Sequence, residues 1–421
     1  MPSLPCEPGI RRSEAGSYHR RRMRIQLWTY FYDPEPQGIA PLSTILAREL
    51  QARGNDVLVV AAHPHYPEPV WGSARRPYRE RRDGIPVLRL PLWIGRSSTY
   101  ERIREELTYA LMQTTVLPVL PPADVLIAVT PCFPALAPAM AFSRFRKIPW
   151  VMWLQDIVSD AAETTGMLND GFLLGAANRF EKLTYRSAAR VVVISETFRR
   201  NLLAKGVSSE KMDRIFNPSP RPITRPLNRG DRSSNRILVM GNIGYSQGLE
   251  ALVDAFQDDD ELAAMGAELV LAGHGVAADE VRARIRSDRV RMPGVLDGPA
   301  LDRELSEAAI GVVSQRADIS EFNFPSKLMN YFACGVPVLA SVRPDSETAR
   351  VVGDAGAGRV TDAADPPAFA AAAASMLRDQ GEREAAGKAA FTYASTHFDP
   401  ATVAERFETV LREVTHRPAS R

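Results

Sequence analysis

Phe324-Pro325-Ser326-Lys327-Leu328-Met329-Asn330-Tyr331-Phe332-Ala333-Cys334-Gly335-Val336-Pro337-Val338-Leu339-Ala340 divides into a loop, a helix start, a short helix, a glycine stop and a mostly apolar strand. Pro325 is preset for the first turn of a helix, which leaves the backbone N–H groups around Ser326 and Lys327 free. A helix N-terminus beside a lysine and a hydroxyl attracts phosphate. Gly335 ends the helix, and Val336 to Ala340 reads as a buried parallel strand. The same residues would also serve an ordinary turn with the lysine in water, so the segment alone leaves both readings open.

The residues before this run repeat the pattern. Ile237–Met240, Glu268–Ala272, Arg289–Met292 and Ile310–Ser314 read as strands, with an amphipathic helix from Leu249 to Phe256 after the first. The loops at their carboxyl ends carry Gly241 and Gly244, Gly273 and Gly275, and Gly294, then Phe324 to Lys327. Glycine allows a ligand to approach the backbone closely. Four such loops at one edge describe a nucleotide-sized crevice, because open α/β sheets bind ligands at the carboxyl ends of their strands. His274, between two glycines and with no evident partner carboxylate, reads as a loop residue.

Upstream, Asn217-Pro218-Ser219-Pro220-Arg221-Pro222-Ile223-Thr224-Arg225-Pro226 forbids regular structure and marks a semi-rigid connection. Before it lies another α/β series. A first strand over 24–32 leads through Asp33-Pro34-Glu35-Pro36-Gln37-Gly38 into a helix from Ile39 to Arg53, stopped by Gly54. Val57–Ala62 follows as the next buried strand, giving a βαβ unit. Further strands are expected at Val87–Leu90, Val125–Val129, Trp150–Leu154 and Arg190–Ile194. Gly38 stands at a strand's carboxyl end but outside any GxGxxG, and no ribose-binding acid follows the second strand, which argues against a nicotinamide dehydrogenase. Asp156 sits directly after the Trp150–Leu154 strand, placed to orient a substrate or stabilise positive charge, or else to cap a helix.

At 421 residues, with 45% hydrophobic and 24% charged residues, the chain suits two soluble α/β domains. The expected division is a tail at 1–22, a domain at 23–217, a linker at 218–234, a nucleotide-binding domain at 235–398 and a C-terminal helix and tail at 399–421. Cys6, Cys132 and Cys334 lie far apart, without metal or disulfide spacing, which favours a reducing cytoplasm. The arginine-rich residues 1–22 lack a signal peptide's apolar core and read as a disordered basic tail or a misassigned start before Met23. Prolines and Asp124 interrupt the apolar stretch 116–142, so it falls short of the roughly 20 residues of a membrane span. Arg96 to Leu117 mixes arginines with large apolar residues, as a helix on an anionic membrane surface does, or one packed on its own sheet. Apart from the basic tail, nothing supports nucleic-acid binding.

Two Rossmann-like halves, a proline-rich hinge and a crevice in the second half resemble the GT-B glycosyltransferases, and the sequence from Met23 onward resembles glycosyltransferase family 4. The matching pieces are Gly38 with Gly54-Asn55-Asp56-Val57, Ile215-Phe216-Asn217, Gly241-Asn242-Ile243-Gly244 with Gln247-Gly248-Leu249, Ala272-Gly273-His274-Gly275, and Pro325 to Val338. Gln155-Asp156-Ile157, Gln247-Gly248 and Pro325-Ser326-Lys327-Leu328 are worded most like the branch that builds bacterial O-antigens, capsules and colanic-acid-like polysaccharides, which includes fucosaminyltransferases.

The resemblance implies retaining transfer from a nucleotide diphosphate sugar, UDP-sugars being favoured, without a metal or other cofactor. It implies a lipid-linked saccharide acceptor and a cytoplasmic protein peripheral to the inner membrane surface. The leaving diphosphate gathers negative charge that fixed dipoles and cations must stabilise. Ser326, Lys327 and the backbone at Gly38 and Gly244 are the candidates for that task, with Gly273 in a donor-site loop and Gly294 and Val295 beside the base. Asp156 stands where many relatives carry a histidine–aspartate pair beside the reacting sugar. Two departures bear on catalysis. The family's Glu-x7-Glu pair falls on Phe322 and Asn330; Asn330 can still bond a ribose hydroxyl, and Glu321, one residue from Phe322, is with Asp156 the catalytic candidate. Gln247 replaces the usual donor-loop lysine. The rival reading is therefore a catalytically inactive nucleotide-sugar-binding scaffold. A GT-B sugar epimerase would need acid and base carboxylates that the sequence does not offer.

Overall fold

A computed structural model describes residues 21–36, 38–66, 71–95, 98–157, 171–223, 234–319 and 325–416. The linker expected at 218–234 and the tail at 1–22 fall largely outside these residues, as does Glu321.

The first sheet contains β1 Arg24–Thr29, β2 Asp56–Ala62, β3 Tyr78–Arg82, β4 Ile85–Leu90, β5 Val125–Val129, β6 Trp150–Leu154, β7 Arg190–Val193 and β8 Met212–Arg214. Its order is β3-β4-β2-β1-β5-β6-β7-β8, parallel except where β3 pairs with β4. The helices around it are α1 Ala40–Ala52, α2 Thr99–Val116, α3 Leu136–Arg146, α4 Gly171–Ser187 and α5 Glu196–Ala204.

The second sheet contains β9 Arg236–Asn242, β10 Glu268–His274, β11 Val290–Gly294, β12 Ala308–Ser314, β13 Val338–Val342 and β14 Gly358–Asp362. It is parallel throughout, in the order β11-β10-β9-β12-β13-β14. Its helices are α6 Leu249–Gln257, α7 Asp260–Ala264, α8 Ala278–Ala283, α9 Gly298–Glu307, α10 Ser326–Ala333, α11 Glu347–Ala355, α12 Pro366–Arg378 and α13 Gln380–His397. A last helix, α14 Pro400–His416, leaves this domain and returns to the first.

The central strands form where the sequence supplies uninterrupted apolar runs. Val-Leu-Ile-Ala-Val in β5 and Trp-Val-Met-Trp-Leu in β6 are buried at every position, as parallel strands covered on both faces must be. Strand order reverses between β1 and β5 and again between β9 and β12. These are the topological switch points where doubly wound sheets hold ligands. The expected 336–340 strand begins instead at Val338. Pro337 has no N–H to give a ladder, though its carbonyl accepts from Gly311 at 2.9 Å. Gly335, at φ +68°, closes α10 as expected.

Charged β3 (Tyr-Arg-Glu-Arg-Arg) has no apolar alternation and was not anticipated. It is an edge strand folded back on β4 through Asp83-Gly84, both at positive φ (47° and 80°). That dipeptide is the signal for such a hairpin. The glycines at the end of β10 have a cause besides the one expected. A Cβ at Gly273 would lie 1.7 Å from the Gly241 carbonyl oxygen, and one at Gly275 2.4 Å from that of Ile243. Neighbouring backbone already requires glycine at both positions.

α14 buries Val403, Phe407 and Leu411 in the first domain's core, Phe407 standing edge-on to Trp153 at 5.1 Å. The buried Glu408 accepts from Arg53, just after α1, at 2.7 Å and from Arg412. Among the described residues no helix is long and apolar enough to cross a membrane.

Candidate functional site

Both switch points direct candidate residues to carboxyl edges. In the second domain, α10 begins after β12 with Pro325 at its N-cap and no side chain capping it. Tyr331 fixes this helix to the sheet. Its buried hydroxyl donates to the Leu238 carbonyl at 2.8 Å and accepts from the Met240 N–H at 3.1 Å, both in β9. Its ring fills the space over Gly311, where a Cβ would lie 2.6 Å away. The first turn of α10 is thereby held over the β9–β12 switch.

Lys327 is partly buried there and donates from Nζ to Gln247 Oε1 at 2.8 Å. Gln247 Nε2 in turn donates to the Asn242 carbonyl. The lysine of α10 and the loop after β9 thus converge on one point. Burial pushes the Lys327 ammonium down to about 8, because desolvation disfavours the charged form. A partly buried cation beside a helix N-terminus can receive an anion.

Of the other expected residues, Ser326 is exposed at the start of α10 and Asn330 is half-buried one turn on. Gly244 is buried before the turn Tyr245–Gln247, and a Cβ there would meet the Asn242 amide at 2.9 Å. Gly273 lies opposite Gly241 in the β9–β10 register. Gly294 has φ +82° with open space where a Cβ would point, and Val295 beside it is exposed. His274 is exposed at the end of β10. Among the described contacts Gln247 joins two of the candidates, its side chain accepting from Lys327 and its N–H donating to the Gly244 carbonyl at 3.0 Å; the others share the same sheet edge.

Gly38 and Asp156 belong to the first sheet's carboxyl edge. Gly38 has φ +64° at an open position before α1. Asp156 follows β6, and Thr130 Oγ1 at the end of β5 accepts the N–H groups of Gln155 and Asp156 at 2.7 and 3.3 Å. Burial raises the Asp156 carboxyl to about 6, opposed by the charge of Arg102 on α2. Gln155 is held by a reciprocal amide pair with Asn217, 2.8 Å in each direction. The sequence presented Gln155 and Asn217 as separate motifs and gave no sign of Arg102, because helix α2 lies some fifty residues before Asp156.

Comparison with known proteins agrees with this layout. A family model described as a glycosyl transferase 4-like domain matches residues 37–218, and one described as glycosyl transferases group 1 matches residues 234–379. The chain belongs to glycosyltransferase family 4, with the GT-B fold. It is similar to the colanic acid biosynthesis glycosyl transferase WcaI of Escherichia coli (strain K12), 27% identical over 343 residues, or 74% of this chain and 82% of that protein. Among solved structures, Anabaena HepE in complex with UDP superposes with a TM-score of 0.67 at 17% identity, covering 93% of this chain and all of that one. Sucrose-phosphate synthase of Thermosynechococcus elongatus gives 0.70 at 16% identity, over 93% and 99%.

Proposed function

We propose that this protein is a retaining glycosyltransferase that moves a hexosyl or N-acetylhexosaminyl group from a UDP-sugar to a lipid-linked saccharide in cell-surface polysaccharide biosynthesis. It works on the cytoplasmic face of the inner membrane. The observation that carries the reading is the partly buried Lys327 at the open N-terminus of α10, over the β9–β12 switch. As the bond to the sugar breaks, charge accumulates on the diphosphate, and the lysine and helix dipole stabilise it. The Asp156 carboxylate, across the cleft on the first domain, stabilises positive charge developing on the sugar.

Helix α2 supports the lipid-linked acceptor. It carries a buried carboxylate while several of its large apolar side chains face outward. Glu105 is buried and accepts from the Tyr30 hydroxyl at 2.6 Å and the Gly95 N–H at 3.0 Å. Tyr100, Leu107 and Leu111 are instead 72%, 53% and 59% exposed, with Ile103 between them. Beyond α2, Phe145 is 77% exposed between Arg144 and Lys147. An apolar stripe bordered by cations fits the interface of an anionic bilayer. Leu107→Glu with Leu111→Glu is expected to reduce cosedimentation with phosphatidylglycerol vesicles by about tenfold or more, from lost apolar burial and added repulsion. UDP affinity should stay unchanged, and undiminished vesicle binding would remove α2 from the membrane contact.

The donor reading is tested by calorimetric titration with UDP, GDP and UDP-sugars, followed by a donor-hydrolysis assay. UDP binding with slow hydrolysis is the expected result, and failure to bind any nucleotide would overturn the reading. UDP binding without turnover on any lipid-linked acceptor would favour the inactive scaffold, for which Asn330 in place of a carboxylate is the motivating residue.

A further inference from the structure

The carboxylate of Glu347 crosses from one domain to the other. Glu347 is the first residue of α11 in the second domain and is buried. Its Oε1 accepts from the Glu196 N–H at 3.1 Å, and its Oε2 from the Thr197 N–H at 3.3 Å. Those are the first two N–H groups of α5, in the first domain, which have no acceptor within their own helix. Ser195 Oγ takes the next, from Phe198, at 3.1 Å. Half of one domain's helix cap is therefore supplied by the other domain.

The charges around this contact are balanced. The carboxylate sits at the positive ends of α5 and of its own helix, α11, where a negative charge is stabilised. Arg350 donates to both of its oxygens and pairs onward with Asp354 at 2.6 Å. Glu196, whose backbone is capped, directs its own carboxylate to Arg199 at 3.0 Å.

Its place in the two sheets gives the contact a role. α5 follows β7, the neighbour of β6, and Asp156 lies just beyond the end of β6. α11 follows β13, the neighbour of β12, and α10 with Lys327 connects those two strands. The contact thus ties the loops one strand away from each half of the candidate site. The chain itself crosses between domains near Ser219 and near Phe398, and those crossings are bonded to each other, Ser219 N–H to Phe398 carbonyl at 2.7 Å. Two crossings joined at one point leave rotation about that point open. A side-chain tie from another loop restrains it.

We propose that Glu347 is a positioning residue for the transfer reaction, holding the Asp156 side of the cleft in register with the Lys327 side. The assignment rests on the reading of the cleft as the transfer site. Glu347→Ala is expected to lower kcat by about tenfold or more, the scale on which small misplacements of reacting groups act. UDP affinity should stay within about twofold, because the candidate nucleotide residues other than Gly38 belong to the second domain. Small-angle scattering of the UDP-free variant should show a larger radius of gyration than the parent chain. Glu196→Pro probes the same tie from the other side. Proline is tolerated at a helix's first position, Ser195 before it is already extended (φ −151°, ψ 161°), and the substitution deletes one donor to Glu347. It should reproduce the scattering change, and it carries the test if Glu347→Ala does not fold. Unchanged scattering and kcat within about twofold in a folded variant would overturn the proposal. A parent chain that binds no nucleotide would defeat the transferase reading instead, while the scattering comparison would still decide whether Glu347 holds the domains.

Discussion

Lys327→Ala is expected to weaken UDP binding by about 10- to 150-fold, equivalent to about 1.5–3 kcal/mol, the scale of hydrogen bonds to a charged group. The effect should be large because the lysine's partner in the free protein is a neutral amide, Gln247, which leaves its charge available to an arriving anion. A pH dependence follows, and its sign is fixed. Burial holds the free ammonium down to about 8, against an ordinary value of 10.5. A bound diphosphate stabilises the charged form and raises the pKa again. Above pH 8 the free protein has lost the proton that the complex needs, so binding takes one up and affinity falls as pH rises. Below about pH 7 the lysine is charged in both states and the linkage disappears. Calorimetry at pH 8.5 in two buffers of different ionisation enthalpy should show uptake of more than about half a proton per UDP. Lys327→Ala should abolish the uptake. Heats independent of buffer in the parent chain would take the lysine out of the nucleotide site.

Asp156→Asn is expected to cut kcat by about 100-fold or more while leaving donor KM within a few-fold, as for a group that acts mainly in the transition state. Equal losses in kcat and in donor binding would argue against that role. The same substitution should stabilise the fold. Burial raises the Asp156 carboxyl to about 6 from a usual value of 3.8. Between those values the folded protein holds a proton that the unfolded chain releases, so this residue's contribution to stability falls as pH rises through that range and stays unfavourable above it. The amide carries no such penalty, and a higher Tm at pH 7.5 is the expected reading, shrinking toward pH 4. The parent enzyme should also lose activity as pH falls through about 6, where the carboxylate is protonated, and Asp156→Asn should lose that limb of the profile.

What the sequence disclosed followed from continuity. β5 and β6 are apolar from end to end and β12 as far as Ser314, so the sheets and their carboxyl-edge loops could be read before any contact was known. β3, β8 and β14 carry charged or polar residues at many positions and join the sheets by pairing with a neighbour, which local periodicity does not reveal. The site divides in the same way. Lys327 announced itself through the helix start around it, but its partner Gln247 lies 80 residues away. Glu347 drew no notice in the sequence, because the N–H groups it serves are about 150 residues distant and in the other domain. Gly273 has a second cause that the sequence did not disclose: a neighbouring strand already demands the space where its Cβ would lie.

Because α14 belongs to the first domain's core, the order in which the ribosome releases the chain differs from the order in which the domains can be finished. The opening half emerges with the seat for Phe407 and Leu411 vacant and with Trp153 and Arg53 lacking their last partners. It must wait, with apolar surface in water, until the whole second domain has been made. The first core thus closes only after the second domain has been made: a message cut short near residue 399 would leave a second domain with its own core and a first domain with an open one.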